Sequence, residues 1–510
     1  MSSVAPAVAP ARVARYRFVV LGVVWCAYLV VFLSRLCVGP LSPFLKDSFH
    51  LSHAQIGWLT SATAVAYAPT LLLAGWLVDR IGARRALITG TLITGVSVGA
   101  VALAPSYEVM LLLLACSGFG CGFIYPTAVK AIMLWFPPHE RATAVGVNQS
   151  AVNISGMLGA AIMPTLALSL GWQSGFLLAA IMAFAICGVA VAFYREPRPD
   201  EWCATAAPGE GRLACDAGDG PGEGRPACDE GDAAAAAPEA FAELEQGLPL
   251  VTGDQRLDRA AVNPGFLTVL RSRDILLEGF AAMFLCVIEF SALAQLVLFL
   301  KGDWAFTAVA AGGLLAFCQA AGAIGKPVSG LVSDRLLGGR RRPALIALAG
   351  LAAVACAVLA VIRPGQSLAL WLALALLGVG AVGWGGLLGA LAGETAGPAA
   401  AGAAAGVTAA LDNIGIFVGP PLFGWIVDRT GSYAPAWWTM VGAAVCAAVL
   451  FAFVREPRGS ATRPGADGLR EPGRQPVAHA GTQPIGYADL QPVAHAGTPG
   501  AGRETDLPVS

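Results

Sequence analysis

Apolar runs long enough to cross a bilayer constrain the fold of this chain more than any other feature. A transmembrane helix needs about 20 consecutive apolar residues. Twelve runs qualify, at residues 18–40, 55–78, 86–104, 107–130, 142–168, 173–194, 275–300, 306–332, 343–362, 367–392, 402–427 and 436–454. Charged residues make up 13% of the chain, against about 25% in soluble proteins. We therefore predict an all-α membrane protein with twelve transmembrane helices, because a soluble core cannot bury so many apolar runs.

The basic residues of the loops predict the orientation of these helices. With both ends of the chain on one face, the N-terminal arm and the loops after the second, fourth and eighth helices share that face. These segments hold Arg12, Arg15, Arg17, Arg80, Arg84, Arg85, Lys130, Arg141, Arg335, Arg340, Arg341 and Arg342. The opposite loops hold only Lys46, Lys301, Arg363 and Arg429. Since Lys and Arg of short loops stay cytoplasmic, both termini are predicted in the cytosol, in a multi-pass protein of the cell inner membrane. The first run lacks a cleavage site of small residues and is predicted to be a span rather than a signal peptide.

Two segments differ in composition from the helical regions. They are rich in Gly, Ala, Pro and charged residues and cannot bury enough apolar surface to fold. The predicted organisation is an N-terminal arm at 1–15, a six-helix bundle at 16–194, a disordered cytoplasmic linker at 195–273, a second six-helix bundle at 274–455 and a disordered cytoplasmic tail at 456–510.

An internal repeat relates the two bundles. The string YREPR (194–198) ends the sixth run, and VREPR (454–458) ends the twelfth. At the same offset AVGVNQSAVNISGMLG (144–159) aligns with AAGVTAALDNIGIFVG (404–419). The chain is therefore predicted to consist of two pseudo-symmetric halves.

The loop after the second run carries the motif that identifies a family resemblance. It has the sequence GWLVDRIGARR (75–85), and GLVSDRLLGGRRR (330–342) follows the eighth run. Two parallel six-helix halves with this basic loop in each resemble the major facilitator superfamily. The resemblance covers residues 16–455 without the linker. It implies secondary transport, in which substrate binds near the membrane midplane and two halves rock against each other.

The acids and arginines of these loops are predicted to form a cytoplasmic gate. The C-terminal end of the second helix favours cations and disfavours Asp79. In the resembling family this acid pairs with the other half when the cytoplasmic side is closed. The predicted gate consists of Asp79, Arg80, Arg84, Arg85, Glu140, Arg141, Asp334 and Arg335, assisted by Arg195 and Glu196. The alternative, that these are orientation charges only, explains the arginines but leaves the acids unexplained.

Arg35 is the main candidate for substrate binding. It lies late in the first helix and shares a helical face with Tyr28 and Phe32. Its planar guanidinium suits a carboxylate or a phosphate. A central arginine here, together with the string at 125–153, resembles the organic-anion, organophosphate and nitrate/cyanate branches of the superfamily. The alternative is a structural charge that pairs with an acid or extends towards the periplasm.

Two acids within the spans are candidates for proton coupling. Glu289 and Asp412 fall in the middle of the seventh and eleventh helices, where desolvation disfavours a charged carboxylate. The alternative is that each is a fixed partner of Arg35 or Lys326. The site is predicted to be completed by Tyr28, Tyr125, Asn148, Asn153, Gln319, Trp384 and Asn413, with Gln149, Tyr67 and Gln295 as further lining.

These residues predict a secondary transporter for a small organic anion that moves together with H⁺. Two other functions stay open: efflux of hydrophobic compounds, and a transporter-like receptor that senses a ligand without moving it. The expected partners are a small-molecule substrate, a proton and the lipid bilayer, and the expected state is a monomer. Nothing in the sequence resembles a catalytic, metal or phosphate-cradling site, so neither an enzyme nor a cofactor nor nucleic-acid binding is expected.

Overall fold

The computed structural model of this chain describes residues 9–136, 138–197, 269–396 and 400–456. Within these ranges the side chains of residues 9–14, 72, 75, 76, 79, 138, 139, 142, 401 and 402 are not described. Most of the predicted linker, all but the first residue of the predicted tail and the first eight residues of the N-terminal arm therefore lie outside the described residues.

The described N-terminal residues form six helices. Two of them are interrupted, one at Cys37 and one at Phe123. In order they are α1 (Ala9–Leu36 continued by Val38–Phe49), α2 (His53–Ile81), α3 (Ala83–Val101), α4 (Tyr107–Gly122 continued by Ile124–Trp135), α5 (Pro138–Leu170) and α6 (Gln173–Phe193).

The described C-terminal residues also form six helices, of which one is interrupted. In order they are α7 (Arg273–Gly302), α8 (Ala308–Arg335), α9 (Arg341–Val361), α10 (Ser367–Leu377 and Gly385–Ala396, joined through a π-helical turn at Gly378–Val382), α11 (Ala401–Thr430) and α12 (Ala434–Phe453). Ten of the described helices are long and apolar enough to cross a membrane. The all-α membrane fold predicted from the apolar runs is confirmed.

One segment differs from the predicted spans. Residues Val38–Phe49 continue α1 as a helix, although the first apolar run ends near residue 40. This segment is amphipathic: Val38, Leu41 and Leu45 are buried, while Asp47 is exposed. Its apolar face packs on α7, so tertiary contacts rather than a continuous apolar run stabilise it.

Helix packing in the two halves follows the same pattern, as the sequence repeat predicts. In the first half α1 packs on α5 and α6, and α3 packs on α4 and α6. In the second half α7 packs on α11 and α12, and α9 packs on α10 and α12. The halves meet through two equivalent pairs, α2 with α11 and α5 with α8. The fold therefore consists of two pseudo-symmetric bundles.

The repeated Arg-Glu-Pro strings have a structural role that is the same in both halves. Glu196 follows α6, and its carboxylate accepts the backbone N–H of Arg84 at 3.4 Å, in the first turn of α3. Glu456 follows α12 and accepts the backbone N–H groups of Arg341 and Arg342 in the first turn of α9. An acid at a helix N-terminus is favourable because it satisfies free N–H groups and complements the helix dipole.

The two halves are in close contact at one face of the molecule. We call the face at the C-terminal ends of α2, α4, α8 and α12 the arginine-rich face, and the other the opposite face. At the opposite face three glycines touch backbone carbonyls of the other half: Gly39 faces Leu293, Gly57 faces Pro420 and Gly424 faces His53. A side chain at any of these positions would collide with that carbonyl. The opposite face is therefore closed by backbone-to-backbone packing.

Two adjacent glycines of α8 provide a test of this closure. A Cβ atom at Gly312 would collide with the carbonyl oxygen of Ala160 in α5, whereas a Cβ at Gly313 would meet nothing within 4 Å. We expect Gly312→Ala to lower the melting temperature of the purified protein by several degrees, because overpacking costs about 1–3 kcal/mol. Gly313→Ala is the matched control and should leave it unchanged. Equal melting temperatures for the two variants would contradict this account of the contact.

Candidate functional site

A cavity of about 850 Å³ lies between the two halves. Its lining comes from both halves, including Arg35 of α1 and Asp412 of α11. It continues to Val78 and Met133, in the last turns of α2 and α4. Since these turns lie at the arginine-rich face and the opposite face is closed, the cavity extends towards the arginine-rich face.

Arg35 lines this cavity without a counter-ion among the described residues. Its side chain is only 5% exposed, and its Nε and Nη2 atoms have no hydrogen-bond partner. The guanidinium carbon lies over three aromatic rings, 4.3 Å from the centroid of Tyr67, 5.6 Å from Phe290 and 5.7 Å from Phe32. Such contacts stabilise a cation without neutralising it. The guanidinium donors therefore remain available for an anion in the cavity.

Two acids and a lysine line the cavity beside Arg35. Glu289, Asp412 and Lys326 are each half-buried. The Nζ of Lys326 donates to Oδ1 of Asn153 in the other half at 3.1 Å. Lys326 and Arg35 both act electrostatically on Glu289, and Arg35 acts on Asp412. The cavity thus brings the acids close to the cations, although Arg35 forms an ion pair with neither acid.

Tyr28, Tyr125, Trp384 and Asn413 line the cavity together with Arg35. Trp384 follows the π-helical turn of α10, and its indole N–H donates to the carbonyl of Ala381 at 2.7 Å. The Nδ2 of Asn413 donates to the carbonyl of Ala409 at 2.7 Å. Asn413 therefore uses this donor within its own helix, whereas the indole of Trp384 also bonds to the side chain of Glu289 in α7.

The other predicted polar residues are placed elsewhere. Asn148, Asn153 and Gln319 are buried in helix contacts rather than in the cavity lining. Gln319 packs against Gly156 of α5. Gln295 is also buried and donates to the carbonyl of His53 at 2.8 Å. Tyr67, Gln149 and Lys130 line the cavity, whereas Phe290 is a lining residue that the sequence did not indicate.

The gate residues make their described contacts within single halves. The side chain of Asp79 lies outside the described residues. Glu140 pairs with Arg17 at 3.0 Å, and the guanidinium of Arg84 donates to the carbonyl of Val191 at 2.6 Å. Arg141 donates to the carbonyls of Phe136 and Met133, and Asp334 pairs with Arg341. Arg80, Arg85 and Arg335 are exposed at the arginine-rich face.

An acid-to-helix contact joins the halves at the opposite face. Asp428, near the end of α11, accepts the backbone N–H groups of His53 and Ala54 at 2.9 Å each. Its Oδ1 also lies 2.8 Å from Nδ1 of His53. These N–H groups belong to the first turn of α2, so Asp428 satisfies free donors and complements the positive end of that helix.

A second copy of the loop motif is the sequence signal for this contact. GWLVDRIG (75–82) recurs as GWIVDRTG (424–431), with differences only at the third and seventh positions. Asp79 lies near the end of α2, and Asp428 occupies the same position near the end of α11. Sequence reasoning compared equivalent helices of the two halves, second with eighth, and so did not compare the second helix with the eleventh.

Comparison with known proteins places these features in one family. The family model described as Major Facilitator Superfamily matches residues 24–420 and 280–490. A bacterial homologue of the human lysosomal transporter Spinster, in an inward-facing and occupied conformation, has a similar fold. The TM-score is 0.64 at 16% sequence identity, over 86% of this chain and 97% of that one.

Curated relatives are similar over a part of their length. A probable sulfoacetate transporter of Cupriavidus necator is 28% identical over 185 residues, which are 36% of this chain and 43% of the relative. A hexuronate transporter of Bacillus subtilis is 30% identical over 175 residues, which are 34% of this chain and 41% of the relative. The chain thus spans about two fifths of the length of these relatives.

The Asp428 contact generates a prediction about the opposite face. Removing a carboxylate that accepts several hydrogen bonds costs about 1.5–3 kcal/mol per bond. We expect Asp428→Ala to raise the labelling rate of a Ser61→Cys reporter by an impermeant maleimide about tenfold or more, because Ser61 is fully buried in the contact between α2 and α11. Arg429→Ala is the matched control, since Arg429 contacts the ring of Trp425 in its own helix. Unchanged labelling in Asp428→Ala would show that the contact does not hold this face closed.

Proposed function

Since the chain belongs to the major facilitator superfamily, we propose that it is a secondary transporter that carries a small organic anion by alternating access. One observation carries the proposal: the guanidinium of Arg35 is buried in the cavity between the halves, with two donor atoms unpartnered. A buried cation without a counter-ion is costly in a membrane protein. An anionic substrate would supply the missing partner through paired hydrogen bonds.

The relatives support the chemical class of the substrate. Their names describe transporters of sulfoacetate and hexuronate, and both of these compounds are organic anions. Tyr28, Tyr125, Trp384 and Asn413 form further parts of the proposed binding surface. Asn148, Asn153 and Gln319, which lie in helix contacts, act on the substrate only through their neighbours.

The orientation of the protein follows from its charges. The arginine-rich face is cytoplasmic, so both termini face the cytosol and the cavity of this structure extends inwards. During transport the halves rock until the arginine-rich face closes and the opposite face opens. Asp79, with Arg80, Arg84, Arg85, Glu140, Arg141, Asp334 and Arg335, would form the gate that closes the arginine-rich face. The protein works as a monomer in the inner membrane.

Glu289 and Asp412 are the proposed proton carriers. Both acids line the cavity, and both interact electrostatically with the positive charge of Arg35. A proton bound to either acid would offset the charge of the substrate. The membrane potential acts on each unbalanced charge with about 2.3 kcal/mol per 100 mV, so proton symport removes a large barrier to the entry of an anion.

Substitution of Arg35 tests the anchor. We expect Arg35→Ala to reduce substrate-specific uptake into proteoliposomes at least about tenfold, because one or two charge-assisted hydrogen bonds are lost. Arg35→Lys keeps the charge but loses the planar fork, so an intermediate loss is expected. Labelled sulfoacetate, a hexuronate and benzoate form the substrate panel.

Arg363→Ala is the matched control, because Arg363 is exposed in the loop between α9 and α10. Uptake of an anion at the wild-type rate by Arg35→Ala would refute the anchor. Uptake of hydrophobic compounds in place of anions would favour efflux, and binding without flux would favour a receptor.

The two acids can be tested separately from the anchor. We expect Glu289→Gln or Asp412→Asn to abolish accumulation driven by a pH gradient while exchange of substrate across the membrane persists, because exchange moves no net proton. Glu108→Gln is the control, since Glu108 is exposed at the start of α4. Accumulation that follows the pH gradient unchanged in both variants would exclude these acids as proton carriers.

A further inference from the structure

We propose that the cavity selects an aromatic carboxylate, with the carboxylate on Arg35 and the ring against the aromatic side chains around it. This inference rests on the proposed function and names the substrate class of the same site. It differs from a sugar acid of the hexuronate kind, whose several hydroxyl groups each require hydrogen-bond partners. An aromatic ring needs apolar or aromatic side chains in the cavity wall, whereas sugar hydroxyl groups need hydrogen-bond donors and acceptors there.

Aromatic rings form the wall next to the anchor. Tyr67, Phe290 and Phe32 surround the guanidinium of Arg35. The ring centroids of Phe32 and Tyr28 are 4.8 Å apart, and those of Tyr28 and Tyr125 are 6.4 Å apart. An aromatic ring in the cavity would meet their faces and edges at distances that favour stacked or edge-to-face pairs.

The amide groups that would bind sugar hydroxyls are engaged elsewhere. Asn153 accepts from Lys326, and Asn413 donates to Ala409 and to Asp412. Asn148 and Gln319 are buried outside the lining. Within the described lining, Gln149 has no such bond, and Oδ1 of Asn413 has no partner. A sugar acid would therefore have few free amide donors in this cavity, and each hydroxyl left unpaired would cost about 1–3 kcal/mol.

Trp384 adds to the apolar character of the cavity. Its indole N–H is engaged by the carbonyl of Ala381 and by the carboxylate of Glu289, so the side chain offers ring surface and no free donor to a substrate. The lining also includes the apolar side chains of Ile416, Leu71 and Met133. A substrate with a charged end and an apolar body matches a lining that combines Arg35 with apolar and aromatic side chains.

Equilibrium binding to the purified full-length chain tests this proposal. We expect phenylacetate to bind at least about tenfold more tightly than glucuronate, and more tightly than cyclohexanecarboxylate, which has a similar size but no aromatic ring. Tyr67→Leu should weaken phenylacetate binding about 3- to 30-fold, the range of cation–π and ring contacts. Tyr67→Phe keeps the ring and should bind phenylacetate as the wild type does, which excludes a general folding defect as the cause.

The outcomes separate this inference from the proposed function. Glucuronate binding that equals or exceeds phenylacetate binding would overturn the aromatic class. Equal binding of phenylacetate and cyclohexanecarboxylate would overturn it as well. In either case the proposed function stands if binding of the preferred anion is lost in Arg35→Ala. Binding of every anion that is unaffected by Arg35→Ala would overturn both.

Discussion

The cost of a buried charge in lipid governs the arrangement of this protein. Arg35 lies late in an apolar run of α1, and it is buried among aromatic rings at the wall of the cavity. The protein meets this cost through ring contacts and nearby acids rather than through an ion pair. A cation held in this way keeps its attraction for an anion, and the cavity between the halves provides the space for one.

The helix packing around Arg35 is pseudo-symmetric, whereas the charged residues of the cavity are not repeated in the two halves. The helix pairs and the Arg-Glu caps repeat in the two halves. Arg35 has no equivalent cation in α7, and Asp412 of α11 aligns with Val152 of α5. The anchor therefore comes from the first half and the acids from the second. In the proposed function, a substrate bound between them would contact both halves, as a carrier that moves one half against the other requires.

The sequence predicts the helices well because a membrane imposes a local rule: each span must be apolar along its whole length. It predicts the ionisable residues of the cavity for the same reason, since a charge within a span has few other uses. It does not predict which polar residues face the cavity. Asn148, Asn153 and Gln319 sit on helices that are apolar on most sides, so no periodicity shows how each helix is rotated. The amphipathic end of α1 was missed because its stability comes from its contact with α7.

The antiparallel pair of α2 and α11 has a consequence for the energetics of the transport cycle. The two helices end in closely similar strings, and Asp428 lies at the positive pole of α2 at the opposite face. If Asp79 of the proposed gate made the equivalent contact with the first turn of α11, opening one end of the pair would break the same kind of contact that closing the other end makes. Such an exchange would keep the difference in free energy between the two conformations small. A weakly bound solute is then sufficient to shift the population between them.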